Sequence, residues 1–308
     1  MFNRYRAEQF QRYTQAKDFF TRDPTVLIDL EQFFAAKIKE LIEADWSAVC
    51  ADYNEASYLY PFWQNYPPDD RGRAPVGDQY PWIEVGEHAL GAKIRGWFAS
   101  DFTVRDVGLP SGPDERFVLT SPQIDTLTKG FTRSAWLFVD IKSAGPRDDF
   151  DHAVMSHNQI SGDGIWLDAQ AGLKNTVLLA TGSRTSHKFH CIVAPLYILS
   201  DLSVAPVVHI VLKPVYTMAP LDPSAGTAGQ PLGRITVASI PNGILLVINP
   251  GYLTQHPGLL FPGKDDKGKN PLKVRARVSF PLLRQIAAWR VCDIYAPAVP
   301  QPTISSSH

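Results

Sequence analysis

The run "AWLFVDIKS", residues 135–143, sets five apolar residues in a row and then places Asp140 and Lys142 on either side of Ile141. An unbroken apolar run of that length, rich in aromatic and branched residues, fits a strand covered on both faces. Strand side chains alternate, so Asp140 and Lys142 leave from one face and Ile141 from the other. An interior strand that ends this way aims an acid and a base at one spot on the rim of a sheet. Taken alone, Asp-x-Lys also describes a surface ion pair, and only its surroundings separate the two readings.

The surroundings supply helices and further strands. In "DPTVLIDLEQFFAAKIKELIEADW" Asp23 is placed to cap, Pro24 suits a first helical position, and Leu27, Leu30, Phe34, Ile38 and Leu41 recur at helical spacing. The segment "PWIEVGEHALGAKIRGWF" predicts a second helix with Ile83, Leu90, Ile94 and Phe98 on its apolar face. Glu87 falls within that face, where a carboxylate needs a cation or a donor. Between the two, "YLYPFWQNYPPDDRGRAP" reads as an ordered loop. Strands are expected in "DFTVRDVGL", "ERFVLTS", "APVVHIVLKPVY" and "RITVASIPNGILLVIN", the last folded at Asn242-Gly243 into a hairpin. Helices first and strands between helices imply an α/β class with a mixed sheet flanked by helices.

With 308 residues the chain suits one large domain, and the proline- and serine-rich end, residues 296–308, reads as a frayed tail. Its net charge of -1 announces no polyanion partner, so any DNA-binding surface must be local. Residues 264–290 are such a place: Lys264, Lys267, Lys269, Lys273, Arg275, Arg277, Arg284 and Arg290 face only Asp265 and Asp266. Cys50, Cys191 and Cys292 form neither a disulfide framework nor a CxxC zinc site, which points to a reducing compartment. Without a signal-peptide core or an apolar run of membrane length, a soluble cytoplasmic protein with no membrane partner is expected.

Twenty-six residues before Asp140, Asp114 follows a Gly-Pro turn and precedes the apolar strand Phe117–Leu119. If the two strands are neighbours, Asp114, Asp140 and Lys142 converge, and Glu87 on a covering helix can join them. Gathered carboxylates repel unless a hard cation lies between them, and Mg²⁺ is the oxygen-liganded choice. An ammonium beside such an ion orients a metal-activated water and offsets charge developing on a phosphate, which is what phosphodiester hydrolysis requires.

"PD…DIK" matches the signature of the PD-(D/E)xK nucleases. Longer blocks, "ADYNEASYLYPFWQNYPPDDRG", "PWIEVGE", "GLPSGPDERFVLTSP", "FVDIKSAGPRD", "APLYILSD", "VAPVVH" and "FPGKDDK", resemble the BglI family of type II restriction endonucleases from residue 51 to about residue 278. The resemblance implies the PD-(D/E)xK fold, a homodimer, Mg²⁺ dependence and cleavage of double-stranded DNA at an interrupted palindrome, GCC and GGC flanking an unspecified spacer. It implies Asp114 and Asp140 as metal-binding carboxylates, the Ile141 carbonyl as a further ligand and Lys142 as the catalytic lysine. Asp148, Lys264, Asp266, Arg275 and Arg277 fall on base-reading positions. Their chemistry agrees, because Arg and Lys donate to guanine while Asp accepts from cytosine N4.

Other readings are weaker. "GLLFPGKD", residues 258–265, ends on Asp265 where a P-loop needs Ser or Thr, and Pro262 removes a backbone donor, so no nucleotide cofactor is expected. His187, His190 and Cys191 lack a second cluster to complete a zinc site and read as strand-edge residues. A structure-specific or repair nuclease with the same centre would cut branched or damaged DNA without regard to sequence. A non-cleaving DNA-binding protein has no need of the complete Asp114, Asp140 and Lys142 set.

Overall fold

The computed structural model describes residues 2–65, 82–106, 112–145, 149–217, 224, 231–248, 250–263 and 274–295, with side chains from 4–55 and from 90 onward. The chain opens with helices α1 (Phe2–Arg22), α2 (Thr25–Ala44), α3 (Trp46–Asn65) and α4 (Trp82–Phe98). The expected α2 is present, but Asp23 does not cap it: its carboxylate accepts from the Thr25 hydroxyl and from Lys129, both at 2.5 Å. Residues 58–65, read as loop, instead continue α3; the remainder of that aromatic segment lies outside the described residues. Helix α1 went unforeseen. Its inward residues Tyr13, Ala16 and Phe20 are buried at helical spacing but stand among charges that blur the pattern.

Strands β1 (Thr103–Asp106) and β2 (Glu115–Thr120), helix α5 (Pro122–Leu127) and strand β3 (Ser134–Ile141) follow. After them come β4 (His152–Met155), the hairpin β5 (Leu178–Thr181) and β6 (Ser186–Phe189), and β7 (Leu196–Ile198). The long β8 (Val204–Tyr216) and β9 (Leu232–Ile240) complete the centre. The chain closes with α6 (Gly243–Val247), α7 (Tyr252–Gln255), β10 (Leu260–Pro262), β11 (Ala276–Ser279), α8 (Phe280–Ile286), a 3-10 turn at Ala288–Arg290, and β12 (Val291–Tyr295).

The main sheet runs β1-β2-β3-β8-β9-β12 with β7 added to β8. It is mixed, since β3 and β8 are parallel whereas the other pairs are antiparallel. A smaller sheet, β10-β11-β4, packs beside it. The expected hairpin at Asn242-Gly243 is absent. Asn242 caps α6 by accepting from the Ile244 amide at 3.0 Å, while its own amide group donates to the Pro195 and Val207 carbonyls, each at 2.8 Å. Gly243 lies against the Gly162 backbone, where any side chain would collide. Asn-Gly here serves a helix start in a crowded place. No described helix is long and apolar enough to cross a membrane.

The faces of β3 divide the molecule. Ala135, Leu137, Val139 and Ile141 join the core beneath α2, α3 and α4, whereas Trp136 and Phe138 face the side where residues 193–207 pack. Burying the apolar side chains of β3 contributes roughly 10 kcal/mol, on the scale of 1.5–3 kcal/mol each. That exceeds the several kcal/mol needed to desolvate one carboxylate, so the strand can carry Asp140 at its end.

Residues 149–161 lie on the Phe138 side of the main sheet, opposite α2, α3 and α4, and polar groups help to hold them there. Lys213, buried on β8, donates to the carbonyls of Asp149 and of His152, the latter at 2.7 Å. His209, two turns of the pleat earlier, accepts from the Ser161 amide at 3.0 Å and meets Phe138 edge to face. Burial depresses the His209 imidazole to about 3. Between roughly pH 6.5 and 3 the unfolded histidine takes up a proton that the folded one refuses, so stability is complete above that window and falls as pH drops through it. Between pH 7 and 5, urea unfolding of the wild type is expected to lose about 2 kcal/mol more than His209→Gln. Equal losses would show that the residue does not stay neutral.

Candidate active site

Pairing of β2 with β3 sets Glu115 opposite Val139, which brings the turn before β2 to the charged end of β3. Asp114, in that turn, accepts a hydrogen bond from the Ile141 amide at 2.6 Å. Across the parallel pair, Ile141 sits opposite Leu212, and the Lys142 amide donates to the Leu212 carbonyl at 2.8 Å, so sheet pairing holds Lys142 past the end of β3. Lys142 Nζ stands 2.9 Å from Asp140 Oδ2. Asp140 is almost fully buried, while Lys142 retains 30% of its side-chain surface and faces solvent. Asp114, Asp140, Ile141 and Lys142 are thus together, on a rim fixed by three adjacent strands.

Asp114 from the turn before β2, Asp140 from β3 and the Ile141 carbonyl are hard-oxygen donors of the kind that suits Mg²⁺, an ion that commonly takes only one or two protein carboxylates and completes its shell with water and phosphate. Among the described residues no cluster of three or more His, Cys, Asp or Glu is poised for a metal.

Glu87 lies on α4, the helix packed on the face of β3 opposite to Asp140, and its side chain is outside the described residues. Glu115 is a carboxylate that closes against this helix at Gly91, one turn beyond Glu87. Burial first and then the charge of Asp114 raise its pKa above the usual range. Sequence reading passed over Glu115, although the two-residue alternation from Phe117 and Leu119 signals that it faces the helices.

Gln159 was also missed. Its Nε2 donates to Asp140 Oδ1 at 2.5 Å, a contact across 19 residues that no local pattern announces.

Of the base-reading candidates, Arg275 and Arg277 are described; Asp148, Lys264 and Asp266 lie outside the described residues. Arg277 sits on β11 opposite Val154 of β4 and Phe261 of β10. Its guanidinium lies 5.9 Å from the Phe261 ring centroid and 3.7 Å from Asp149, which also holds His152 at 2.8 Å. Arg275, just before the strand, is exposed. His187 is on β6 opposite Ala180, within a two-stranded hairpin.

A mixed sheet whose central strand ends in Asp-x-Lys beside a turn-borne aspartate defines a nuclease of the PD-(D/E)xK type. A model of the family described as "Restriction endonuclease BglI" matches residues 8–294. The type II restriction enzyme BglI of Bacillus subtilis is 46% identical over 290 residues, covering 93% of this chain and 96% of that protein. The crystal structure of BglI bound to its DNA recognition sequence superposes with a TM-score of 0.86, covering 96% of this chain and 99% of that one. The tetrameric restriction endonuclease SfiI, bound to cognate DNA, shares the fold at 15% identity and a TM-score of 0.55, over 87% of this chain and 84% of its own. The chain belongs to the BglI family of restriction endonucleases and is a type II site-specific deoxyribonuclease.

Proposed function

We propose that this protein is a homodimeric, Mg²⁺-dependent enzyme of the cytoplasm that cleaves double-stranded DNA at an interrupted palindrome, GCC and GGC flanking an unspecified spacer. The observation that carries the reading is the hydrogen bond from the Ile141 amide to Asp114, which seats a second carboxylate beside Asp140 and Lys142. Asp114, Asp140 and the Ile141 carbonyl hold the ion. When bound, it supplies a water of lowered pKa and positive charge against the phosphate.

The protein's own groups do the rest. Asp140 holds the Lys142 ammonium as an ion pair, and that ammonium has donors for the attacking water and the scissile phosphate. Water attacks in line, and no side chain becomes bonded to the DNA. Asp148, Lys264, Asp266, Arg275 and Arg277 read the G·C pairs, each good bidentate contact giving about 1–3 kcal/mol of discrimination. A palindrome presents its half-sites by two-fold symmetry, which a pair of identical chains matches. The cysteines are free, in keeping with a reducing cytoplasm.

Plasmid DNA digested with Mg²⁺ is expected to give discrete fragments whose mapped ends all lie in GCC-spacer-GGC sites, with no cutting in EDTA. Randomly placed ends, or cutting confined to branched DNA, would overturn the assignment.

A further inference from the structure

The base-reading strand and the catalytic carboxylate are joined by a short chain of bonds. Strand β11, which carries Arg277, pairs with β4, and β4 ends at Met155 in a turn closed by the Gln159 amide donating to the Ser156 carbonyl at 3.0 Å. The Ser156 amide in turn donates to Gln159 Oε1 at 2.8 Å. A backbone N–H can only donate, so the side-chain oxygen of Gln159 must face Ser156 and its Nε2 must face Asp140. The amide is therefore oriented by the turn and points a neutral donor at Oδ1, 2.5 Å away. Lys142 occupies the other oxygen, Oδ2.

We propose that Gln159 is a positioning residue that fixes the rotation of the Asp140 carboxylate and ties it to the place of β4, so that catalysis depends on how the small sheet is seated on DNA. The proposal rests on the reading of Asp140 as a metal ligand and of β11 as a recognition strand. Three nearby bonds give the link its stiffness. Lys213 grips the start of β4 through the carbonyls of Asp149 and His152, and β8, which bears it, also accepts the Lys142 amide at Leu212. A shift of β4 relative to the main sheet must then move Gln159, and with it the oxygen that Asp140 presents. Partners that orient metal ligands typically contribute ten- to a hundredfold in affinity or activity.

Gln159 is only half-buried, so its substitution should leave the fold intact. In Gln159→Leu, kcat on cognate DNA is expected to fall ten- to a hundredfold with KM and gel-shift affinity in Ca²⁺ unchanged. The affinity of the cognate complex for Ca²⁺, read by calorimetry, should fall about tenfold, and the cleavage ratio of cognate over single-substitution sites should shrink. Gln159→Glu keeps the acceptor for Ser156 but not the donor for Asp140, and should lose at least as much. Wild-type kcat in either variant overturns the inference, as does a loss of DNA affinity equal to the loss in rate, which would make Gln159 a brace of the β4 turn. A wild-type enzyme that fails to cut would instead sink the underlying assignment.

Discussion

Replacing Lys142 by alanine is expected to lower cleavage of cognate DNA about a thousandfold, the upper range for removing one donor aimed at developing charge, while sequence-specific binding in Ca²⁺ persists. The geometry separates the two effects. Lys142 is anchored by its backbone to Leu212 and by its ammonium to Asp140, while Arg277 belongs to the small sheet and Arg275 directly precedes it. Removing the ammonium leaves the Gln159 hydrogen bond on Asp140 Oδ1 in place, so the carboxylate keeps its position and loses the cation beside Oδ2. Single-turnover cleavage and gel shifts with cognate and scrambled duplexes provide the measurement. If Lys142→Ala binds both duplexes alike, the lysine is a reading or folding residue and the catalytic assignment fails. Lys142→Arg gives a second check: it retains charge but replaces a compact ammonium with a planar fork, and should restore little of the rate.

The part of this site legible in the sequence is the part written in consecutive residues. Period-two alternation gave the faces of β3, and the Gly-Pro turn before Phe117 gave the approach of Asp114, because strand pairing amplifies local pattern into geometry. β2, β3 and β8 were legible for the same reason. Asn242-Gly243 misled because the dipeptide serves both a hairpin and a helix start, and the choice was made by distant carbonyls at Pro195 and Val207. Gln159 carries no motif at all: its role arises from a turn that folds it back onto a strand end 19 residues earlier. Glu115 was hidden by the more conspicuous Asp114 beside it, although the two leave the chain toward opposite faces.

The contact most remote from any local pattern is the buried ion pair of Glu31 and Arg290, separated by 259 residues and 2.8 Å apart. Both side chains are sealed from water. Glu31 Oε1 accepts from the Asn242 amide at 2.6 Å, and the Arg290 guanidinium lies 4.5 Å from the Trp289 ring and 5.4 Å from that of Tyr252. Burial pushes the Glu31 carboxyl up, with Arg290 opposing the shift. The pair fastens α2 to the start of α6 and to the turn before β12, behind the sheet that carries the active site. Breaking it from one side leaves an uncompensated charge in the interior, so Glu31→Met is expected to destabilise the protein by about 3–5 kcal/mol in urea unfolding. Glu31→Met/Arg290→Met removes both charges and should recover most of that loss, because a well-packed apolar pair is often as stable as a buried ionic one. Neither change touches Asp114, Asp140 or Lys142, so at low temperature both variants should retain wild-type cleavage. If the double variant were as unstable as the single one, the stabilisation would lie in the hydrogen bonds that Glu31 accepts from Asn242 and that Arg290 donates to the Ser239 carbonyl at 3.4 Å, and charge pairing would be secondary.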